Sequence, residues 1–180
     1  MIIRAATTDD IDAITSLYND LGVATTASYD LRPATVAERR DWLDDHTAHD
    51  WPVLVSDDAG TVIGYAAYGA FRHKAGYDHT VEHSVYVASG RQSDHIGTAL
   101  MSSLIDIARG HHLHAMVGAV DAGNAASVRF HESLGFTVAG TLPQVGRKFG
   151  RWLDVTFLVL LLDASPAGAG AQITMGDDNA

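Results

Sequence analysis

Apolar positions along this chain fall into two rhythms, one of period two and one of period three to four, and the change between them marks its elements. Met1–Ala6 reads as a short strand. Thr7 and Thr8 followed by Asp9 and Asp10 give a helix start with acids in the first turn. Ile11, Ile14, Leu17, Tyr18 and Leu21 then recur at helical spacing until Gly22 closes the segment. A second helix begins at Thr35-Val36-Ala37-Glu38, just after Pro33, with capping-box spacing, and carries Trp42 and Leu43 on one face. The stretch between these helices, GVATTASYDLRP, is a loop of a length that usually has a use.

Trp51–Ser56, the turn DDAG at 57–60 and Thr61–Phe71 predict a hairpin, and Thr80–Val87 predicts a third strand of an antiparallel meander. A helix from about Ile96 to Arg109 leads to an apolar strand near Ala115–Val120. Next comes a helix that Asn124 can cap and Gly135 can end. Strands around Phe136–Val145 and Trp152–Leu162 complete the order βααβββαβαββ. This mixed α/β order predicts a central sheet with helices on both faces. One domain is expected over residues 1–163. From 164 to 180 the composition shifts to ASPAGAGAQITMGDDNA, which lacks the apolar surface to offset its ordering entropy and predicts a disordered tail.

Composition narrows the chemistry. With 180 residues, 47% of them hydrophobic, the chain can bury a sizeable core. Its formal net charge is −10 and its 12 Lys and Arg are scattered, so no basic stripe points to nucleic acid or an anionic membrane. A small-molecule partner is expected instead. The absence of cysteine removes disulfides, thiolate metal sites and a Cys nucleophile together. The N-terminus lacks a targeting pattern and the late run LVLLL at 158–162 is too short to span a bilayer, so cytoplasm is the expectation. His111, His112 and His114 end a helix where positive charge suits the dipole, and their spacing does not suggest a metal site.

The joint SVYVASGRQSDHIGTAL at 84–100 carries the most chemistry. A strand runs through a polar loop into a helix whose first N–H groups lack partners and whose dipole is positive, a natural place for pyrophosphate. This strand, loop and helix resemble the acetyl-CoA site of the GNAT acetyltransferase superfamily, whose loop runs Gln/Arg-x-x-Gly-x-Gly/Ala. Three further segments resemble its phosphinothricin/methionine sulfoximine N-acetyltransferase branch: FRHKAGYDHTVEHSVYV from Phe71 to Val87, NAASVRFHESLGF from Asn124 to Phe136, and KFGRWLD from Lys148 to Asp154. The resemblance spans roughly residues 2–162 and implies a GNAT-like, largely antiparallel sheet. The chain departs from the pattern at His95, where the family usually has the first loop glycine, and at Asp94, where many relatives carry a basic residue.

By that resemblance acetyl-CoA is the co-substrate. Its site comprises the backbone of Val85, Tyr86 and Val87, the loop and helix start at Gln92, Ser93, Asp94, His95, Ile96, Gly97 and Thr98, and Asn124 with Ser127. Glu82 is the implied base. Alternation in its apolar strand puts it on one face with Thr80 and Ser84, and burial there would raise its pKa. His131, implied to protonate the departing thiolate, lies seven residues from Asn124, two turns along nearly the same helix face. Arg72 and Lys74 are the implied cations for the acceptor's acidic group, because an Arg fork binds two oxygens. Tyr29 and Trp152 are expected to wall the pocket. The activity implied is N-acetylation of the α-amine of a small amino acid by direct attack, in a homodimer and without metal. A GNAT-fold binding module whose loop has lost its glycine is the competing expectation.

Overall fold

The strands of the computed structural model, which describes residues 1–91 and 95–163, are β1 (Ile2–Ala5), β2 (Val53–Asp58), β3 (Thr61–Ala70), β4 (Thr80–Val87), β5 (Ala115–Asp121), β6 (Thr137–Lys148) and β7 (Arg151–Leu161). The helices are α1 (Ile11–Leu17), α2 (Val36–Ala48), α3 (Ile96–Gly110) and α4 (Ala125–Ser133). Gln92, Ser93, Asp94 and the tail at 164–180 lie outside the described residues.

Local signals explain most of the boundaries. The Thr35 hydroxyl accepts from the Glu38 N–H while the Glu38 carboxylate accepts from the Thr35 N–H, closing the capping box that starts α2. Asn124 caps α4 through the Ser127 N–H at 3.0 Å, and Gly135, at φ +92°, turns the chain out of it. Gly22 does not end the first helix: α1 widens into a π-helical turn over Tyr18–Val23 that contains it.

All seven strands form one sheet in the order β1-β2-β3-β4-β5-β7-β6. Every pairing is antiparallel except β4 with β5. On one face α1 and α2 pack Ile11, Ile14 and Leu43 against Val53, Val55, Tyr65, Ala67 and Tyr86. On the other, α3 buries Ile96, Leu100, Met101 and Leu104 against Leu54, Ala66, Tyr68, Val81 and Met116. Sheet alternation therefore assigns Tyr86, with Ser84 and Glu82, to the α1–α2 face, and Val81, His83, Val85 and Val87 to the α3–α4 face.

The parallel pair is the irregular part of this sheet. Register between β4 and β5 covers only Thr80↔Ala115, Val81↔Met116 and Glu82↔Val117. Both strands run on, β4 held by β3 as far as Val87 and β5 held by β7 as far as Asp121. Beyond Glu82 the two strands part, and among the described residues no strand lies beside the β5-facing backbone edge of β4.

Candidate active site

The parting of β4 and β5 opens a cavity of about 670 Å³ that reaches both faces of the sheet. Its walls include Glu82, His83, Ser84, Val85 and Tyr86 from β4, and Gly118–Asp121 from β5. α4 adds Ser127 and His131, with the cap residue Asn124, and the loop after α1 adds Thr26–Asp30. Arg72 closes one end, and Tyr18, Arg39, Trp42 and Tyr65 line the α1–α2 side.

Glu82 is half-buried at the last paired position, where the strands begin to part. Burial raises its carboxyl above the ordinary range, and the charge of Arg72 pulls it partly back. Opposite, His131 is buried on α4, and its Nδ1 lies 2.7 Å from the Ser127 carbonyl. A carbonyl only accepts, so Nδ1 carries the proton and the neutral ring presents a bare Nε2. Burial also lowers the basicity of this imidazole. Against it lies His83, ring centres 5.1 Å apart, with both nitrogens buried and unpartnered and its pKa pushed down to about 3, chiefly by burial. Gly118 makes room for this pair: a Cβ there would stand 3.0 Å from His83 Nε2 and 3.2 Å from His131.

His95 is the residue at which the chain enters α3. It adopts the left-handed conformation, φ 59° and ψ 15°, a backbone region that glycine enters without strain and that a histidine occupies here. Its ring is exposed and makes no capping bond. The first free amides of α3 are those of Ile96, Gly97 and Thr98, at the positive end of a 15-residue helix. Gly97 has a packing role as well, since a Cβ would press to 3.3 Å on the Phe130 ring of α4.

Of the residues expected at a site, the cavity gathers Glu82, His131, Val85, Tyr86, Asn124, Ser127, Tyr29 and Arg72. Tyr29 presents a buried hydroxyl that has no partner among the described residues. Val87, the α3 start from His95 to Thr98, Lys74 and Trp152 are not on the cavity wall. Lys74 is exposed at the start of the Ala75–Tyr77 turn, and Trp152 is 60% exposed in the β6–β7 hairpin beside Arg147. Sequence reasoning did not select Arg39, His83 or Gly118. Their signals were an arginine three residues before Trp42 on the same helix face, a histidine beside Glu82 in an apolar strand, and a glycine in mid-strand.

The arrangement fits a strand-like ligand along β4 ending in an anion at α3: a strand edge and helix-start amides that have no partner among the described residues lead away from a carboxylate and an imidazole. Among the described residues no group of His, Asp or Glu is arranged to hold a metal ion.

Comparisons with known proteins agree with that chemistry. A family model described as an acetyltransferase (GNAT) domain matches residues 3–157. An L-methionine sulfoximine/L-methionine sulfone acetyltransferase of Pseudomonas aeruginosa is 47% identical over 89% of this chain and 94% of its own. A phosphinothricin N-acetyltransferase of Streptomyces coelicolor is 38% identical over 86% of this chain and 92% of its own. A solved acetyltransferase from Salmonella typhimurium with its cofactor acetyl-CoA superposes with a TM-score of 0.87 at 46% identity, covering 92% of this chain and 96% of that one.

Proposed function

The chain belongs to the GNAT acetyltransferase family, and we propose that it acetylates the α-amine of a small amino acid of the methionine sulfone, methionine sulfoximine or phosphinothricin kind. One observation carries this reading: the opening between β4 and β5 brings Glu82 from the α1–α2 side and His131 from the α3–α4 side to one cavity. The acceptor then enters from the α1–α2 side and the donor from the α3–α4 side.

Acetyl-CoA supplies an activated thioester carbonyl. The unpaired edge at Val85, Tyr86 and Val87 would take its arm as an added strand, and the amides of Ile96, Gly97 and Thr98 its pyrophosphate. His95 would add its own backbone N–H to that end. Asn124 and Ser127 flank the arm from α4.

The acceptor arrives as an ammonium. Glu82, whose raised pKa makes its carboxylate a better base, removes one proton and exposes the lone pair. As the C–N bond forms and the C–S bond breaks, the second amine proton passes to the bare Nε2 of His131 and from there to the departing sulfur. Glu82 returns its proton to solvent, so the products are the amide, the thiol and one released proton. Arg72 faces the acceptor's carboxylate beside Glu82, with Tyr29 covering it. Lys74 and Trp152, outside the cavity, have no contact with the acceptor in this reading.

We further infer a homodimer through β6, whose 12-residue edge exposes Val138, Leu142 and Val145. A cytoplasmic setting goes with a reaction that consumes acetyl-CoA. No helix among the described residues is long and apolar enough to cross a membrane.

Titration calorimetry with acetyl-CoA, followed by thiol-release assays with methionine sulfone and phosphinothricin, tests the reading. Saturable binding and amine-dependent thiol release are expected. Binding without release for any amino acid would leave the binding-module reading in its place.

A further inference from the structure

Arg39 projects from α2 into the cavity wall, and its guanidinium is stacked rather than paired. It lies 3.7 Å from the Trp42 ring centre and 4.5 Å from that of Tyr18. Only 8% of the residue is exposed. Among the described residues it makes one long hydrogen bond, 3.4 Å from Nη2 to the Tyr65 hydroxyl, and its Nε has no partner. No described carboxylate comes within ion-pair distance of it. Asp30, the acid on that side of the cavity, accepts instead from the Tyr18 hydroxyl.

A guanidinium carries five N–H donors in a fixed fork, and burying that charge with Nε unmet and Nη2 held only by the long bond to Tyr65 is costly. Stacking on aromatic faces offsets part of the cost. Oxygen acceptors that enter the cavity beside it would supply partners for the remaining donors.

Position says which part of a ligand that is. Arg72, not Arg39, is the cation whose charge reaches Glu82, whereas the charge of Arg39 is felt by Tyr18, Tyr65 and Tyr86. The amine must sit at Glu82, and an α-carboxylate, one carbon from the amine-bearing carbon, stays near Arg72. A side chain directed along Ser84 and Tyr86 ends among Tyr18, Trp42 and Tyr65, with Arg39 as the donor.

The geometry points to Arg39 and its aromatic cage as the subsite for the far end of the acceptor side chain. The group it takes is a small tetrahedral sulfur or phosphorus centre carrying oxygen acceptors and a methyl, the oxygens toward the guanidinium and the methyl toward the rings. This rests on the acetyltransferase reading above and adds the determinant of its side-chain choice.

The test compares kcat/KM for methionine sulfone and for methionine, which lacks the oxygens, in the wild type, Arg39→Met and Arg39→Lys, with melting temperatures alongside. The wild type should prefer the sulfone by about 10-fold or more, since a buried donor site discriminates against an analogue lacking its acceptors. Arg39→Met should collapse that preference toward unity, and Arg39→Lys, keeping charge without the fork, should retain part of it. Equal handling of the two acceptors by the wild type overturns the proposal, as does a folded Arg39→Met or Arg39→Lys enzyme in which both acceptors lose the same factor. If Arg39→Met does not fold, the wild-type preference and Arg39→Lys still decide. Wild-type protein that releases thiol with neither acceptor sinks the acetyltransferase reading and this subsite together, an outcome distinct from unselective turnover.

Discussion

At Glu82 the demands of folding and of the reaction oppose each other. A half-buried carboxyl raised by desolvation is poorly placed as a charge, yet the charged form is the one that takes a proton from the amine. Because its pKa is raised on folding, its contribution to stability is full below the unfolded pKa and is lost as pH rises through the folded one. Glu82→Gln should therefore raise the melting temperature at neutral pH, with the gain shrinking toward pH 4, while lowering kcat by about 10²-fold or more. Calorimetric melts at both pH values and turnover with saturating acceptor check the two halves. Turnover by the wild type should fall on the acid side as Glu82 becomes protonated. Arg72→Ala, by removing the charge that lowers this pKa, should move that acid limb to higher pH; an unmoved limb would take Glu82 out of the base role. His83 has the opposite sign. Its pKa is depressed to about 3, so its stabilising neutral state is complete above the ordinary histidine value of 6.5 and is eroded as pH falls from there toward 3.

The element that shapes the acceptor side is the loop after α1, and its anchor comes from far along the chain. Lys148, at the end of β6, is buried and donates to the Ser28 carbonyl at 2.6 Å and more distantly, at 3.5 Å, to that of Gly22 near the end of the π-helical turn. Two residues earlier, Gly146 lies so close beneath Tyr29 that a Cβ there would run into its ring. Together they hold Tyr29 and Asp30 against the cavity. Losing a charge-assisted hydrogen bond of about 1.5–3 kcal/mol frees this loop, so Lys148→Met should raise the acceptor KM about 10-fold. The acetyl-CoA KM should stay near its original value, and kinetics varying each substrate in turn separates the two. An equal rise in both would mean that Lys148 supports the whole sheet rather than this loop. Such contacts also mark where sequence reading stops. The order of elements, both helix caps and the faces of β4 follow from local rules of period and capping, which gave Asn124 as a cap and put Glu82 and His131 on particular faces; their chemical roles came only from the family resemblance. The joining of residue 148 to residue 28 has no local signature. Nor has the wedge between β4 and β5, which depends on how β3 and β7 hold the two strands. Arg39 was hidden because a charge on a helix reads as solvated until the aromatic rings that bury it are seen around it.

Over the whole molecule, the two edges of the sheet differ in a way that bears on assembly. The β1 edge is four residues long. The β6 edge is 12 residues long and exposed over most of its length, with Val138, Leu142 and Val145 open to solvent, and Phe149, Trp152 and Leu161 exposed in or beyond the hairpin it forms with β7. A long edge with exposed apolar side chains is an aggregation hazard unless something covers it. The register shift between Leu142 and Gly146, where the Gln144 N–H bonds to Asp154, bends this edge but leaves those side chains uncovered. A second copy is the proposed cover, because one patch meeting itself across a two-fold axis closes without leaving a growing end. The protein should then sediment at twice its 19.2 kDa at micromolar concentration. Val145→Lys, in a patch that must bury about 800 Å² per partner to be stable, should shift it to monomer without changing its far-ultraviolet circular dichroism. Because β6 also carries Lys148 and Gly146 against the Tyr29 loop, this monomer should lose affinity for the acceptor more than for acetyl-CoA. A wild-type protein that sediments as a monomer while staying soluble would show that the edge needs no partner, and the dimer proposal would fall.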